Sequence, residues 1–168
     1  MKQQVILVNQ RNHQIGVEEK IKAHQEGKLH RAFSILIFND QGEILICQRA
    51  KNKYHSGGLW SNAVCSHPKP EEKTVEAIHR RLKEEMGFDC PLKKLFSFHY
   101  RTKFENGLIE NEIDTVYSGI YNDEIKLDGN EAMGYKWISI PNLKKNIAVN
   151  PDKYTSWFKK IIQENKIL

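Results

Sequence analysis

The sequence predicts a single domain of the α/β or α+β class, built around a mixed β-sheet. Short segments rich in β-branched and aromatic residues recur along the chain, one long amphipathic helix interrupts them, and prolines near the carboxyl terminus can start further helices. At 168 residues, with 39% hydrophobic and 28% charged residues, the chain is long enough to bury a substantial core. The order of elements leaves both fold classes open.

The amino-terminal half contains four predicted strands and one predicted helix. The strands are short apolar runs at residues 5–8, 33–38, 44–48 and 60–66. Turn residues separate them: a turn is expected at 12–16, the sequence NDQG at 39–42 indicates a hairpin, and two glycines at 57–58 precede the last strand. Residues 18–26 have helical character, and Gly27 provides a stop for that helix.

The clearest helix is predicted at Thr74–Met86. Its apolar residues recur at helical spacing, at Val75, Ile78 and Leu82. Gly87 then supplies the carboxyl-terminal stop. Three further strands are predicted at residues 95–101, 108–121 and 135–138. Pro141 and Pro151 each stand where a helix can begin.

The charge pattern suits a small anionic ligand at least as well as a nucleic acid. The net charge of +5 comes from 26 Lys and Arg against 21 Asp and Glu, and the cations are scattered without a basic arm. Three cysteines without C-x-x-C spacing indicate a reducing compartment. The apolar run at 5–8 is too short for a signal peptide, and no run approaches the ~18 residues of a membrane span. We therefore expect a cytoplasmic protein that binds neither nucleic acid nor membrane.

Acidic residues and histidines suggest a metal site. Glu110 and Glu112 lie two apart in a predicted strand, so their carboxylates project from one face. With His24, His30 and His67 they could form an octahedral site for a divalent ion, because such a site accepts mixed nitrogen and oxygen ligands. The alternative is a solvated strand face with alternating acids.

A cysteine alternates with one of these histidines. Cys65 and His67 lie on one strand face, where a base two residues along cannot easily reach the sulfur, so a thiol protease is disfavoured. A structural zinc site would need a second cysteine nearby. Taken alone, Cys65 can equally be a small buried hydrophobic residue.

The helix after His67 carries a degenerate motif. The sequence RRLKEEMGF at residues 80–88 looks like the end of a Nudix box, G-x5-E-x7-R-E-U-x-E-E-x-G-U, with Glu72 at the first acidic position. Ser66 replaces the opening glycine, and Arg81 replaces a glutamate with which Nudix hydrolases hold their catalytic metal. A solvated helix face with an Arg81–Glu85 pair is the plain alternative.

Three segments together resemble type 1 isopentenyl-diphosphate isomerase, a family with the Nudix fold that has lost the hydrolase pattern. They are LHRAFS at 29–34, WSNAVCSHP at 60–68 and ENE at 110–112, and the resemblance spans about residues 24–157. It implies one Nudix-fold isomerase domain over 1–168, with the mixed sheet sandwiched between helices. It also implies conversion of isopentenyl diphosphate to dimethylallyl diphosphate through a tertiary carbocation. A monomer or weak homodimer is expected.

The resemblance also implies roles for individual residues. The metal ligands would be His24, His30, His67, Glu110 and Glu112, holding Mn²⁺, Mg²⁺ or Zn²⁺. Cys65, Glu112 and Tyr100 would be catalytic, and Glu85 would bind a second Mg²⁺ that arrives with the diphosphate. Lys20, Arg49, Lys53 and Arg81 would bind the diphosphate, and Trp157 would line the hydrocarbon pocket.

The proton order stays open on sequence grounds. Our working hypothesis is that Glu112 protonates the alkene and that Cys65, as a thiolate, removes the second proton. Two other functions compete: a Nudix hydrolase of a nucleoside diphosphate derivative, and a metal-binding or ligand-binding module without catalysis.

Overall fold

The computed structural model describes residues 2–164 and 167, and within them nine strands form one mixed sheet. The strands are β1 (Gln4–Val8), β2 (Gln14–Glu19), β3 (His30–Phe38), β4 (Glu43–Arg49), β5 (Trp60–Asn62), β6 (Val64–Ser66), β7 (Lys93–Lys103), β8 (Ile109–Ile120) and β9 (Ala132–Ser139). The helices are α1 (Lys20–Glu26), α2 (Thr74–Met86), α3 (Ile140–Val149) and α4 (Ser156–Gln163), with a 3₁₀ turn at Pro151–Lys153.

Strand β3 is the centre of the sheet and determines where the candidate residues lie. It pairs in parallel with β8 and antiparallel with β6, so these two strands flank it. The registers set His30 opposite Glu112 and Ser34 opposite Cys65. Because side chains alternate along a strand, these residues share one face of the sheet. A carboxylate and a thiol thus reach this face from the two neighbours of one central strand.

Helices cover the sheet on both faces, as the sequence predicts. On one face, α2 packs its buried residues Ala77, Ile78, Leu82 and Met86 against β3 and β4. The other face is covered by α4, whose buried residues are Trp157, Phe158, Ile161 and Ile162, together with α3. The alternation of core residues along β3 explains this: Phe33, Ile35 and Ile37 belong to the first core and Leu36 to the second. The α+β interpretation, with a mixed sheet between helices, is confirmed.

Several boundaries differ from the predictions. The expected helix at 18–26 starts at Lys20, because 14–19 form β2 and pair with β1. The expected strand at 60–66 is two strands: β5 pairs with β4, whereas β6 pairs with β3. Helix α3 has proline in its first turn as expected, but the second proline begins only a three-residue 3₁₀ turn. Among the described residues, none of the helices has the length and apolar character needed to cross a membrane.

Candidate active site

Two histidines are oriented by backbone carbonyls. His24 lies in the last turn of α1, and its Nδ1 is 2.7 Å from the carbonyl oxygen of Lys20. His30 begins β3, and its Nδ1 is 2.8 Å from the carbonyl oxygen of Lys28. A carbonyl can only accept a hydrogen bond, so each Nδ1 carries a hydrogen and donates it. Both Nε2 atoms are therefore directed into the site as potential ligands.

These imidazoles meet a carboxylate of β8. The Oε1 atom of Glu112 lies 3.2 Å from Nε2 of His30 and 2.9 Å from Nε2 of His67, which follows β6. Ligands ~2.1 Å from an octahedral ion lie ~3.0 Å from their neighbours, so these separations suit a shared cation. His24, His30, His67 and Glu112 are all buried, and their potential ligand atoms lie within 4.8 Å of one another.

The fifth predicted ligand falls in a second, overlapping group. Glu110 lies within 4.8 Å of His24 and His55, and His24 thus belongs to both groups. Nε2 of His24 and Oε2 of Glu110 are buried without a hydrogen-bond partner among the described residues. Buried polar atoms are normally satisfied, so two unpaired atoms beside a cluster of ligands fit a site that holds a cation.

Charge states in this cluster also fit a divalent cation. Burial lowers the pKa of His24 to about 4 and that of His67 to about 3, so both rings are neutral. Burial also lowers the pKa of His30, but the contact with Glu112 outweighs it, and the pKa is raised. Burial opposes ionisation of Glu112, but hydrogen bonds from His30 and His67 hold its pKa well below its usual range. Neutral imidazoles and an ionised carboxylate are the forms that bind a metal ion.

The thiol lies across β3 from this cluster. Cys65 Sγ is 3.0 Å from Oδ1 of Asn62 and 3.5 Å from Oγ of Ser34, which in turn donates a 2.7 Å hydrogen bond to Asp114. Burial, with Asp114 adding to it, raises the pKa of the Cys65 thiol far above its usual range. The surroundings in this state favour the thiol, whereas our working hypothesis from the sequence used a thiolate.

Tyr100 lies next to the acidic end of the site. It occupies β7 directly opposite Glu112, is fully buried, and meets Trp157 edge to face at a centroid separation of 6.5 Å. Burial and the nearby Glu110 raise its pKa, so the phenol stays neutral and can donate a proton in a hydrogen bond.

The cavity gathers most of the predicted residues. Its volume is about 170 Å³, smaller than the roughly 300–1,000 Å³ usual for pockets of drug-sized ligands. Its lining includes the predicted residues Lys20, Arg49, Lys53, Cys65, His67, Arg81, Glu85, Glu110, Glu112 and Trp157. His24, His30 and Tyr100 lie behind the lining, in contact with it. The small volume suits a short substrate better than a nucleotide.

The cations of the cavity are partly paired. Arg81 forms ion pairs with Glu85 and Glu131, and Lys53 also pairs with Glu131. Burial raises the pKa of Glu85 to about 7, and Glu131 adds to this, although Arg81 opposes it. The guanidinium of Arg49 lies over the Trp157 ring, 5.1 Å from its centroid.

Several residues of the cavity lining received no individual role from the sequence, among them Ser34, His55, Asn62, Asp114 and Glu131. The sequence pattern could have indicated Asp114, because this residue continues the alternation of acids at 110 and 112 along one strand face. The loop from 50 to 58 that carries His55 shows no periodicity, and Glu131 lies in a turn before β9.

Comparisons with known proteins agree with this geometry. A family model of the NUDIX domain matches residues 28–158. Isopentenyl-diphosphate Delta-isomerase 2 of Aromatoleum aromaticum is 48% identical, covering 94% of this chain and 83% of the relative. Isopentenyl-diphosphate Delta-isomerase of Pectobacterium atrosepticum is 45% identical, covering 92% and 87%.

Solved structures share the fold at low identity. A Deinococcus radiodurans protein, DR0079, superposes with a TM-score of 0.80 at 19% identity, over 96% of this chain and 98% of that one. A MutT protein from Methanosarcina mazei has a TM-score of 0.66 at 20% identity, over 80% and 91%. These two likenesses concern the fold alone.

Proposed function

The chain belongs to the isopentenyl-diphosphate Delta-isomerases of the NUDIX family, and on this premise we propose that Cys65 and Glu112 exchange the two protons of its reaction. The enzyme is an isomerase that interconverts isopentenyl diphosphate and dimethylallyl diphosphate in isoprenoid biosynthesis. Ser66 and Arg81 interrupt the hydrolase motif in this chain, in agreement with an isomerase.

The reaction needs an acid and a base on two sides of the substrate. One proton adds to the terminal CH₂ carbon of the double bond and leaves a tertiary carbocation. A second proton then leaves the CH₂ group that is bonded to the cationic carbon on the diphosphate side. The double bond thereby moves by one position, and the composition does not change. Cys65 and Glu112 face one cavity from the two strands that flank β3. Because the interconversion is reversible, each group donates in one direction and accepts in the other. This shared cavity is the observation that carries the proposal.

Tyr100 would assist on the Glu112 side. Its buried, neutral phenol stands opposite the carboxylate in the β7–β8 register, so it can donate a hydrogen bond to the ionised form. Such a bond stabilises the ionised form of the carboxylate.

A buried His/Glu group in this protein can hold a divalent metal ion. We propose that its ligands are His24, His30, His67, Glu112 and Glu110, and that the bound ion is Mn²⁺, Mg²⁺ or Zn²⁺. When bound, the ion would supply positive charge that fixes the Glu112 carboxylate and alters its acidity. A second Mg²⁺ would enter with the diphosphate at Glu85, which lines the cavity beside Arg81.

The diphosphate would bind at the cationic side of the cavity. This side is lined by Lys20, Arg49, Lys53 and Arg81. Lys53 and Arg81, which pair with Glu131 in this structure, would exchange that partner for phosphate oxygens. Binding energy from this remote group would position an alkene that offers no polar handle.

Trp157 would protect the carbocation. Its indole is 3% exposed, lines the cavity and already faces the guanidinium of Arg49. A cation over a desolvated indole face is stabilised by roughly 2 kcal/mol. The buried ring would also exclude water, which would otherwise capture the intermediate.

The chain as a whole would act as one Nudix-fold domain over 1–168, as a monomer or weak homodimer, without nucleic acid or membrane partners. Its three cysteines are all unpaired, which fits the reducing cytoplasm that we propose as its location.

The defining experiment supplies isopentenyl diphosphate and Mg²⁺ in deuterated water and follows the products by NMR. We expect dimethylallyl diphosphate with deuterium at the exchanged carbons. Free phosphate instead would indicate a hydrolase, and the absence of any reaction would indicate a binding module; either result contradicts the proposal.

A further inference from the structure

His55 is a buried histidine that the reaction scheme above does not use. It lies in the loop between β4 and β5 and is 6% exposed. Its ring stacks on Phe104 at 4.2 Å, with an interplanar angle of 9°. Tyr54 and Trp157 meet the same ring edge to face, at 4.3 and 5.8 Å. Three aromatic neighbours therefore fix the plane of the imidazole and leave its nitrogens little choice of direction.

One nitrogen of this ring lies close to a proposed metal ligand. Nε2 of His55 lies 2.9 Å from Oε1 of Glu110, off the axis of a well-formed hydrogen bond. The other ring nitrogen, Nδ1, is 3.2 Å from Oγ of Ser56. Glu110 thus has one oxygen beside His55, while its second oxygen, Oε2, is buried without a hydrogen-bond partner among the described residues.

The position of Glu110 explains why it needs such a neighbour. Glu112 is held by two histidines, whereas Glu110 shares only His24 with the group of four ligands described above. Ligating carboxylates are generally oriented by a hydrogen bond from outside the coordination sphere. Among the described side chains, His55 provides a close nitrogen contact to a carboxylate oxygen of Glu110.

We propose that His55 is a positioning residue of the metal centre: it holds Oε1 of Glu110 so that Oε2 joins His24 and the other ligands around the ion. This inference rests on the metal centre proposed above. His55 contributes an N–H group from outside the coordination sphere, and its aromatic neighbours keep that group in place.

The test titrates metal into protein from which metal has been removed and measures the binding affinity. Its readout therefore does not depend on enzyme activity. His55→Phe keeps the stacking surface and removes the donor, whereas His55→Gln restores an N–H group near the position of Nε2. Titration calorimetry with Mn²⁺ should show a Kd raised about 10- to 100-fold in the phenylalanine variant. The glutamine variant should stay within about threefold of the wild type. Cobalt absorption bands should keep their position in both variants, because the ligand set is unchanged.

Three outcomes would overturn the positioning role. An unchanged Kd in His55→Phe would show that the donor is irrelevant. A larger loss in His55→Gln than in His55→Phe would show that the ring acts through packing alone. A displaced cobalt spectrum in His55→Phe, not restored by glutamine, would make His55 a direct ligand.

Two controls separate this inference from the metal centre on which it rests. His13→Phe removes an exposed histidine from the turn between β1 and β2 and should bind Mn²⁺ like the wild type. His67→Ala removes a proposed ligand and should abolish tight binding. If the wild type binds no Mn²⁺, or His67→Ala binds it normally, the metal centre itself is wrong. If those controls behave as expected and His55→Phe does not, only the role of His55 fails.

Discussion

Asn62 offers a test of how the fold orients the thiol of Cys65, the proposed acid–base group. The side chain is 3% exposed and forms four hydrogen bonds. Its Nδ2 group donates to the carbonyl oxygens of Ile35 and Val64, at 3.2 and 2.7 Å. These two bonds fix the amide so that Oδ1 accepts from Cys65 at 3.0 Å and from Ser61 at 3.1 Å. Asn62 thereby joins the ends of β5 and β6, where the chain changes strand partners.

The substitution Asn62→Ala removes all four bonds and leaves two buried carbonyl groups without this donor. At about 1 kcal/mol per bond, allowing for relaxation, the free energy of unfolding should fall by about 2–4 kcal/mol. For a chain of this size, that corresponds to a Tm lowered by roughly 5–15 °C. Loss of the contact with Cys65 should also lower kcat, by roughly 100-fold for a displacement of about 1 Å.

Urea denaturation and steady-state kinetics check these two effects separately. The midpoint should fall with an unchanged slope m, which indicates a true loss of stability. Asn146→Ala, at an exposed position of α3, is the matched control and should change neither stability nor kcat appreciably. A stability loss below about 1 kcal/mol would refute the hydrogen-bond argument. A destabilised variant with normal kcat would refute the orientation of the thiol by Asn62.

Four further predictions concern catalysis and binding. Cys65→Ala and Glu112→Gln should each abolish isomerisation in the NMR assay while the circular-dichroism spectrum stays unchanged. The control Cys90→Ala, at a residue outside the cavity lining, should retain wild-type rates. Isomerase activity in Cys65→Ala or Glu112→Gln would refute the role of that residue. Burial and the nearby Lys53 lower the pKa of Lys20 to about 8, so this amine loses its charge as the pH rises through 8. The KM of the wild type should therefore rise between pH 7 and 9, whereas the KM of Lys20→Arg should stay constant. The same pH dependence of KM in both proteins would contradict the assignment of Lys20 to diphosphate binding. Glu131→Gln should lower KM by about fivefold, since it releases two cations from ion pairs worth about 1 kcal/mol, and an unchanged KM would show that these pairs do not compete with substrate. Removal of metal should lower Tm by roughly 5–11 °C relative to protein with Mn²⁺ at about 100 times its Kd, and a Tm independent of Mn²⁺ would argue against the site.

Much of the fold followed from local patterns. Helix α2 was predicted with its observed bounds, because its apolar spacing and the glycine after it act over a few residues. The division of 60–66 into two strands was missed, since it depends on which distant strand each half pairs with. The start of α1 was placed two residues early for the same reason: 18–19 extend β2 because β1 pairs with them.

The site divides in a similar way. Motif positions such as Cys65 and Glu112 were predicted because three segments resembled a known family, and the structure sets them in one cavity. His55 was missed because its partner Glu110 lies 55 residues away, which no local pattern encodes. Asn62 lies within one of those segments, but its role was missed because one of the two carbonyls that fix its amide belongs to Ile35, 27 residues away. The ion pairs of Glu131 likewise depend on residues of α2 and of the loop after β4.

A crystal structure of the protein with Mn²⁺ and a non-reactive five-carbon diphosphate would test the arrangement of acid and base most directly. We expect an anomalous scattering peak that places Mn²⁺ among His24, His30, His67, Glu110 and Glu112, with the sulfur of Cys65 on the opposite side of the carbon chain. An Mn²⁺ ion bound elsewhere, or the Cys65 sulfur and the Glu112 carboxylate on the same side of the carbon chain, would contradict the account.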